Sequence, residues 1–326
     1  MAERWLPPTG VNRRQFLRAG GVLGLLTAVP SCASPFAGRS LTLATGSTQG
    51  VYYNLGVDLA AVWQEALGLT ATPEVRSTAG SLDNLRQING GSADVAFSQI
   101  DAAAVELQQT PPDAPRALRA LARIYDDVVH LVVPADSPIT ELGHLRGMRV
   151  SLGAPQSGVE FIASRLLQVV DLRPGDELSA EHLDLAESAQ ALVNHRLDAF
   201  FWSGGVPTQG IDELAGAMRI RLVDLQDIVT VTRAAFPEYT AGSVAAMTYD
   251  IPEAITTLLV RNVLVVTADM PDDLAGALVE SMFAAQESLA ETSPIALTID
   301  PRAAIGTQPV PLHPGAEEFY RSEKDG

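Results

Sequence analysis

Residues 41–67 read LTLATGSTQGVYYNLGVDLAAVWQEAL, and this stretch decides the fold class. Its apolar start, Leu41–Thr45, predicts a short strand, and residues 46–50 form a turn of small and polar residues. From residue 52 onward, apolar side chains recur at helical spacing, which places five of them on one face: Leu55, Leu59, Val62, Trp63 and Leu67. A strand, a glycine-containing turn and a helix in this order are the opening of an α/β unit.

The same order of strand, turn and helix recurs along the chain. Further strands are predicted at residues 71–76, 94–97, 147–153, 198–202 and 257–267, and further helices at 82–88, after 158, at 187–195 and at 272–289. Because strands alternate with helices, we predict an α/β fold with a mainly parallel sheet. The pattern occurs in two sets, which predicts two α/β lobes.

Residues 118–133 are also rich in aliphatic and β-branched side chains. We predict two strands here, separated by a turn at Tyr125, Asp126 and Asp127, with both aspartates in solvent.

Four predicted strands end in small or polar residues. Because ligands of open α/β sheets bind beyond the carboxyl ends of the strands, we predict a ligand pocket where these ends meet. Each stretch could also be no more than a tight turn. The four stretches are residues 45–48, 98–99, 151–158 and 203–204.

The composition excludes several functions. The net charge is −17, and Lys324 is the only lysine, so the chain lacks the basic clusters that bind nucleic acid or anionic lipid. No phosphate-loop or dinucleotide motif is present, and the five histidines do not have metal-ligand spacing. We therefore expect no catalytic residues, no metal and no cofactor, and the protein is predicted not to be an enzyme.

The first 40 residues have the pattern of an export signal followed by a tether. Arg13 and Arg14 precede an apolar run, 19–29, that is too short to span a bilayer. This order resembles the twin-arginine (Tat) signal, and residues 29–32 resemble a bacterial lipobox. Residues 1–31 are thus predicted to be a signal peptide and 32–40 a tether, with Cys32 lipidated and anchored to the cell membrane. The alternative is an ordinary signal-peptidase cleavage site, which would leave a free periplasmic protein.

A family resemblance spans nearly all of the remaining chain and is carried by residues 45–53, 80–85, 94–99, 153–161 and 310–316. The chain resembles the TAXI class of solute receptors of TRAP (tripartite ATP-independent periplasmic) transporters. It differs from the usual family pattern in or near the pocket loops, for example at Ser47, Gln156, Val159 and Trp202, so glutamate is not fixed as the ligand.

The resemblance implies a type II periplasmic-binding-protein-like fold with a ligand cleft between the lobes. Residues 41–134 and 236–326 would form lobe I, and residues 135–235 lobe II. The implied function is capture of a small organic anion, such as glutamate or another carboxylate, and its delivery to a TRAP-type membrane permease. We expect a monomer. A binding module that presents its ligand to a signalling partner is the alternative.

The residue types in the pocket loops suit an anion. Residues before two helices can offer backbone N–H groups to a carboxylate. Tyr52 and Tyr53 point about 100° apart on a helix, so one of them is expected to face the ligand. Glu160 could bind an ammonium group or favour its helix dipole, Trp202 could line the pocket or pack in the core, and Arg76 could pair with an anion or point outward. The predicted ligand-binding residues are Thr45, Ser47, Thr48, Tyr52, Tyr53, Gln99, Ser157, Gly158, Glu160 and Trp202.

Overall fold

The predicted opening unit is present in the computed structural model, which describes residues 34–325. The predicted signal peptide and Cys32 lie outside the described residues. The first strand is followed by a 17-residue helix whose inner face buries Leu55, Leu59 and Trp63, as its spacing predicts. The Trp63 indole N–H donates to the carbonyl of Leu278, 3.1 Å away. This bond satisfies the one polar group of a side chain that is otherwise buried in the core.

The strands are Thr42–Ala44 (β1), Glu74–Arg76 (β2), Val95–Gln99 (β3), Leu118–Pro134 (β4), Arg149–Ser151 (β5), Ser179–Glu181 (β6), Ala199–Gly204 (β7), Ile220–Leu222 (β8), Tyr239–Val244 (β9) and Ile255–Thr267 (β10).

The α-helices are Val51–Leu67 (α1), Ser81–Gly90 (α2), Ile100–Gln109 (α3), Gly158–Val169 (α4), Leu185–Val193 (α5), Gln209–Ala217 (α6), Gln226–Ala235 (α7), Asp272–Ala284 (α8), Gln286–Thr292 (α9), Pro301–Ala304 (α10) and Pro314–Asp325 (α11). Short 3₁₀ turns lie at Leu142–Leu145, Thr248–Asp250 and Pro294–Thr298.

All strands join one sheet in which two long strands stand in the middle. The order is β2-β1-β3-β10-β4-β7-β5-β6, with β9 paired to β10 and β8 paired to β4. We call β2, β1 and β3 the first sheet half and β7, β5 and β6 the second sheet half. The strands between them, β4 and β10, pair with each other. β10 also pairs with β3 and β9, and β4 also pairs with β7 and β8.

The prediction of a mainly parallel sheet is wrong. Strands pair in parallel within each half, but β10 is antiparallel to β3, β4 and β9, and β4 is antiparallel to β7 and β8. The two central strands run against their neighbours on both sides, so the sheet is mixed. The pattern of apolar residues gives no information on strand direction, which explains the error.

The predicted turn in residues 118–133 is also wrong, because β4 is continuous from Leu118 to Pro134. β10 runs beside it and pairs Asp126 with Arg261 and Asp127 with Val260, which keeps this segment extended. Asp127 is 2% exposed. Side chains alternate along a strand, so Tyr125 and Asp127 share one face while Asp126 lies on the other.

Apolar side chains pack on both sides of the sheet. Helices α1 and α8 cover one side of the first half, and α4 covers the second half near Val150 and Phe201. A separate cluster joins Phe200 to Ile255 and includes residues of α5 and α6. The lobe boundaries given above stay a prediction. No helix among residues 34–325 reaches the length and hydropathy that a membrane crossing requires.

Candidate functional site

A cavity of about 340 Å³ lies where β1, β3, β5 and β7 end. This volume is at the small end of the range for pockets that bind small molecules, roughly 300–1,000 Å³. All four loops predicted from the sequence contribute to its wall. The residues that line it include Ser47, Thr48, Val51, Tyr52, Ser81, Gln99, Tyr125, Asp127, Ser157, Gly158, Asp184, Leu185, Trp202 and Ser203.

Four helices begin at this cavity. Their N-cap residues are Gly50 for α1, Gly80 for α2, Ser157 for α4 and Asp184 for α5. The first N–H groups of a helix have no acceptor within the helix, and the helix dipole adds partial positive charge there. Backbone N–H donors of helices on both sheet halves therefore lie at the cavity.

Two of these N-termini are capped by side chains. Ser157 Oγ accepts a hydrogen bond from the backbone N–H of Glu160 at 3.0 Å. Asp184 and Glu187 form a capping box at the start of α5, with Asp184 Oδ1 accepting from the Glu187 N–H at 2.8 Å. These bonds fix both helix starts against the cavity.

Beside the cavity, residues attached to the first sheet half contact the start of α4, which packs on the second half. The backbone N–H of Asp83, in α2, donates to the carbonyl of Gln156, next to α4, at 3.1 Å. Gly158 at the start of α4 lies against Gln99 of the first half. A Cβ at position 158 would stand 2.0 Å from Gln99 Oε1 and 2.8 Å from Ser81 Oγ. A glycine is therefore required at position 158 for this approach.

A hydrogen-bonded cluster forms the floor of the cavity. Gln99 Nε2 donates to Asp127 Oδ2 at 2.7 Å and to Ser203 Oγ at 2.8 Å, which links β3, β4 and β7. Burial raises the pKa of Asp127 to about 6, although its polar neighbours Gln99, Asn262 and Ser203 favour its ionised form. The cluster is thus built around a buried carboxylate.

Aromatic side chains form one wall. Tyr52 stacks on Phe97 with ring centroids 4.9 Å apart and meets Tyr125 edge to face at 6.3 Å. The Tyr52 hydroxyl donates to Asn262 Oδ1, and burial raises the pKa of Tyr52, so the phenol stays neutral. Trp202 also lines the cavity, and its indole N–H donates a hydrogen bond to Thr208 Oγ1 at 3.1 Å. The indole therefore offers the ligand an apolar face.

Seven of the ten predicted binding residues line the cavity, and three lie elsewhere. Thr45 is fully buried and donates from Oγ1 to the Arg76 carbonyl at 2.6 Å. Tyr53 is half-buried on a neighbouring face of α1. Glu160 accepts from the Gln156 N–H at 2.6 Å and lies 3.0 Å from His182 Nδ1. The seven are Ser47, Thr48, Tyr52, Gln99, Ser157, Gly158 and Trp202.

Arg76 points outward, where it pairs with Glu74 at 2.8 Å. The cavity residues that sequence reasoning missed include Ser81, Tyr125, Asp127 and Asp184. Ser81 lies in the stretch 80–85 that carries the family resemblance, and Asp184 lies three residues before the predicted helix 187–195. The alternation of β4 would have placed Tyr125 and Asp127 together had the strand been predicted as continuous.

The fold and the cleft define the class of the protein: it has the two-lobed, type II fold of periplasmic solute-binding proteins, as predicted. Residues 43–324 match the NMT1-like family, and the chain belongs to that family.

Solved structures share this fold at low identity. The substrate-binding protein of an amino acid ABC transporter is 12% identical, with a TM-score of 0.50 over 80% of this chain and 99% of that chain. The GluR0 ligand-binding core in complex with L-glutamate is 10% identical, with a TM-score of 0.50 over 81% and 99%. A protein of Bordetella bronchiseptica RB50 is 17% identical, with a TM-score of 0.50 over 87% and 89%. These likenesses establish the fold that the two sheet halves form.

Proposed function

We propose that the protein is a solute-binding receptor on the outer side of the cytoplasmic membrane. It captures a small organic acid, such as an amino acid or another carboxylate, and delivers it to a TRAP-type permease. The observation that carries this proposal is the convergence of four helix N-termini from both sheet halves on one small cavity. Their N–H groups are suited to hold a carboxylate without a basic side chain.

The seven cavity-lining residues of the predicted set are the proposed ligand contacts. Ser157 and Gly158 start α4, and Ser47 and Thr48 precede α1, so both pairs present hydroxyl or N–H donors. Tyr52 and Trp202 supply the aromatic wall. The solved structure of an amino acid transporter's binding protein, with the same fold, favours a receptor over an enzyme.

The TRAP permease is proposed from the resemblance to the TAXI class. The signal-like N-terminus supports export, and Cys32 supplies the one thiol that a lipid anchor needs. The receptor is proposed to act as a monomer that closes on its ligand, since the contacts between the sheet halves lie beside the cavity.

A thermal-shift screen tests the receptor function, because a ligand that binds the native state raises the melting temperature. The screen uses amino acids, 2-hydroxy acids and dicarboxylates with the purified protein. At least one compound is expected to raise the melting temperature in a saturable way without being consumed. The absence of any shift across this screen contradicts the proposal, and turnover of a hit would indicate an enzyme. A gene for a many-helix permease next to this one supports transport, whereas a kinase gene there supports sensing.

A further inference from the structure

The charged side chains that line the cavity are both acidic. Asp127 lies at the floor, and Asp184 lies at the start of α5. Within the described part of the chain, no lysine, arginine or histidine lines the cavity. A solute with net negative charge would therefore meet two carboxylates and be held only by backbone dipoles and neutral hydroxyl groups. The net charge of −17 acts in the same direction, since it attracts cations from a distance and repels anions.

Two buried acceptors of the floor lack a donor. Asp127 Oδ1 and Gln99 Oε1 receive no hydrogen bond from the described protein atoms. The orientation of the Gln99 amide follows from chemistry: a carboxylate only accepts, so Nε2 must face Asp127, and Oε1 faces the opposite way. A buried donor without a partner, Asn262 Nδ2, belongs to a side chain that helps to hold the pKa of Asp127 down, but Asn262 does not line the cavity and does not supply a donor for Gln99 Oε1.

We propose that the solute carries an ammonium group that donates hydrogen bonds to Asp127 and Gln99, and that the cavity selects zwitterions and cations over solutes with net negative charge. This inference rests on the proposed function, because it concerns the same cavity. An ammonium has several N–H donors and a positive charge, so one group can serve both acceptors. A keto oxygen in its place has no donor, and a hydroxyl has only one.

Within this assignment, a zwitterion uses both features of the cavity. Its ammonium group lies on the floor, and its carboxylate faces the N–H groups at the start of α2 or α4. Gly158 brings these two features close together, since it stands directly against Gln99. The ammonium acceptor is therefore Asp127, whereas the carboxylate of Glu160 is occupied by the Gln156 N–H and by His182 outside the cavity.

Matched series of probes test the inference by thermal shift and calorimetry. The probes are the twenty L-amino acids, the 2-hydroxy acid with each side chain, and the amine with each side chain but no carboxylate. At least one amine-bearing probe is expected to bind, and its hydroxy acid is expected to bind 100-fold more weakly or worse. Asp127→Asn should remove this preference. Asp126→Asn is the matched control, because Asp126 pairs with Arg123 on the opposite face of β4 and should leave binding unchanged.

The outcomes separate the two proposals. Binding of a hydroxy acid as tightly as its amino acid, or unaltered binding by Asp127→Asn, overturns the ammonium site and leaves the receptor function standing. If no probe binds, including the dicarboxylates of the first screen, both the ammonium site and the receptor function are overturned.

Discussion

Asp126 and Asp127 are neighbours in the chain, but they lie on opposite faces of β4 and in different surroundings. Asp126 forms an ion pair with Arg123 at 2.7 Å in a partly exposed position. Asp127 is buried at the cavity floor, where Gln99 donates to one of its oxygens and the other has no donor. The pair offers a natural comparison between a carboxylate that has its counter-ion and one that has none.

Asp127→Asn should stabilise the empty protein near neutral pH. The pKa of Asp127 rises from its usual 3.8 to about 6, so the folded state gains stability as the pH falls through 6 and loses it as the pH rises. The ionised form thus costs up to about 3 kcal/mol at pH 7.5. Urea unfolding should find the variant about 1–3 kcal/mol more stable at pH 7.5, with the difference gone near pH 4. Asp126→Asn should give no such gain. An Asp127→Asn protein that is less stable at pH 7.5 would contradict the buried, unpaired carboxylate.

Affinity for an amine-bearing ligand should fall in acid. Such a ligand needs Asp127 ionised, but below pH 6 the carboxyl of the empty protein is increasingly protonated. The dissociation constant should rise about tenfold for each pH unit below 6. Calorimetry from pH 7.5 to 4.5 measures this slope, and Asp127→Asn should flatten it. A constant affinity over the whole range in the unmodified protein would contradict the ammonium assignment.

Gly158→Ala should weaken binding without unfolding the protein. The added methyl group would stand 2.0 Å from Gln99 Oε1, and Gln99 is held in place by Asp127 and Ser203. Either the start of α4 moves away or the floor rearranges, at a cost of about 1–3 kcal/mol, which corresponds to roughly 5- to 150-fold in affinity. The control is Gly216→Ala at an exposed position of α6, where no atom outside the helix's own backbone lies within 4 Å of the new methyl. Equal affinities for the two variants would mean that the approach at Gly158 is not needed for binding.

Ser157→Ala should lower both stability and affinity. Its hydroxyl caps α4 by accepting from the Glu160 N–H, and loss of an N-cap costs about 1 kcal/mol. The residue also lines the cavity, so ligand binding should weaken beyond the change in stability. Ser157→Thr keeps a capping hydroxyl and should retain most of the stability. Chemical unfolding together with calorimetry separates the two effects, and full affinity in Ser157→Ala would remove Ser157 from the proposed contacts.

Cys32→Ala should release the protein from membranes. The prediction follows from the lipobox-like residues 29–32, in which Cys32 would carry the lipid. After export, fractionation should recover the unmodified protein with membranes and the variant in the soluble fraction. If the variant still sediments with membranes, another segment or a partner anchors it.

Local patterns in the sequence were enough to predict part of the fold. The apolar periodicity of α1 and the short apolar strands determine which faces are buried, and the small residues at strand ends indicate where the cavity lies. Those features depend on residues close together in the chain, so they can be predicted without knowing the partners.

The features that were missed depend on partners far away in the chain. Asp127 is tolerated inside the protein because Gln99 and Ser203, from two other strands, donate to it or surround it. β4 stays extended through its aspartates because β10, more than 120 residues later, pairs with it. β9 was missed because its middle residues are polar or small and mostly exposed, as they would be in a loop.

The position of β10 constrains how the chain can fold during synthesis. β3 is complete at residue 99, yet its partner on one side is formed by residues 262–265. A nascent chain therefore carries β3 as an open sheet edge while the greater part of the remaining polypeptide is made. Such an edge is prone to pairing with the wrong strand. The first sheet half therefore lacks this partner until β10 has left the ribosome, whereas the second half can already pair with β4.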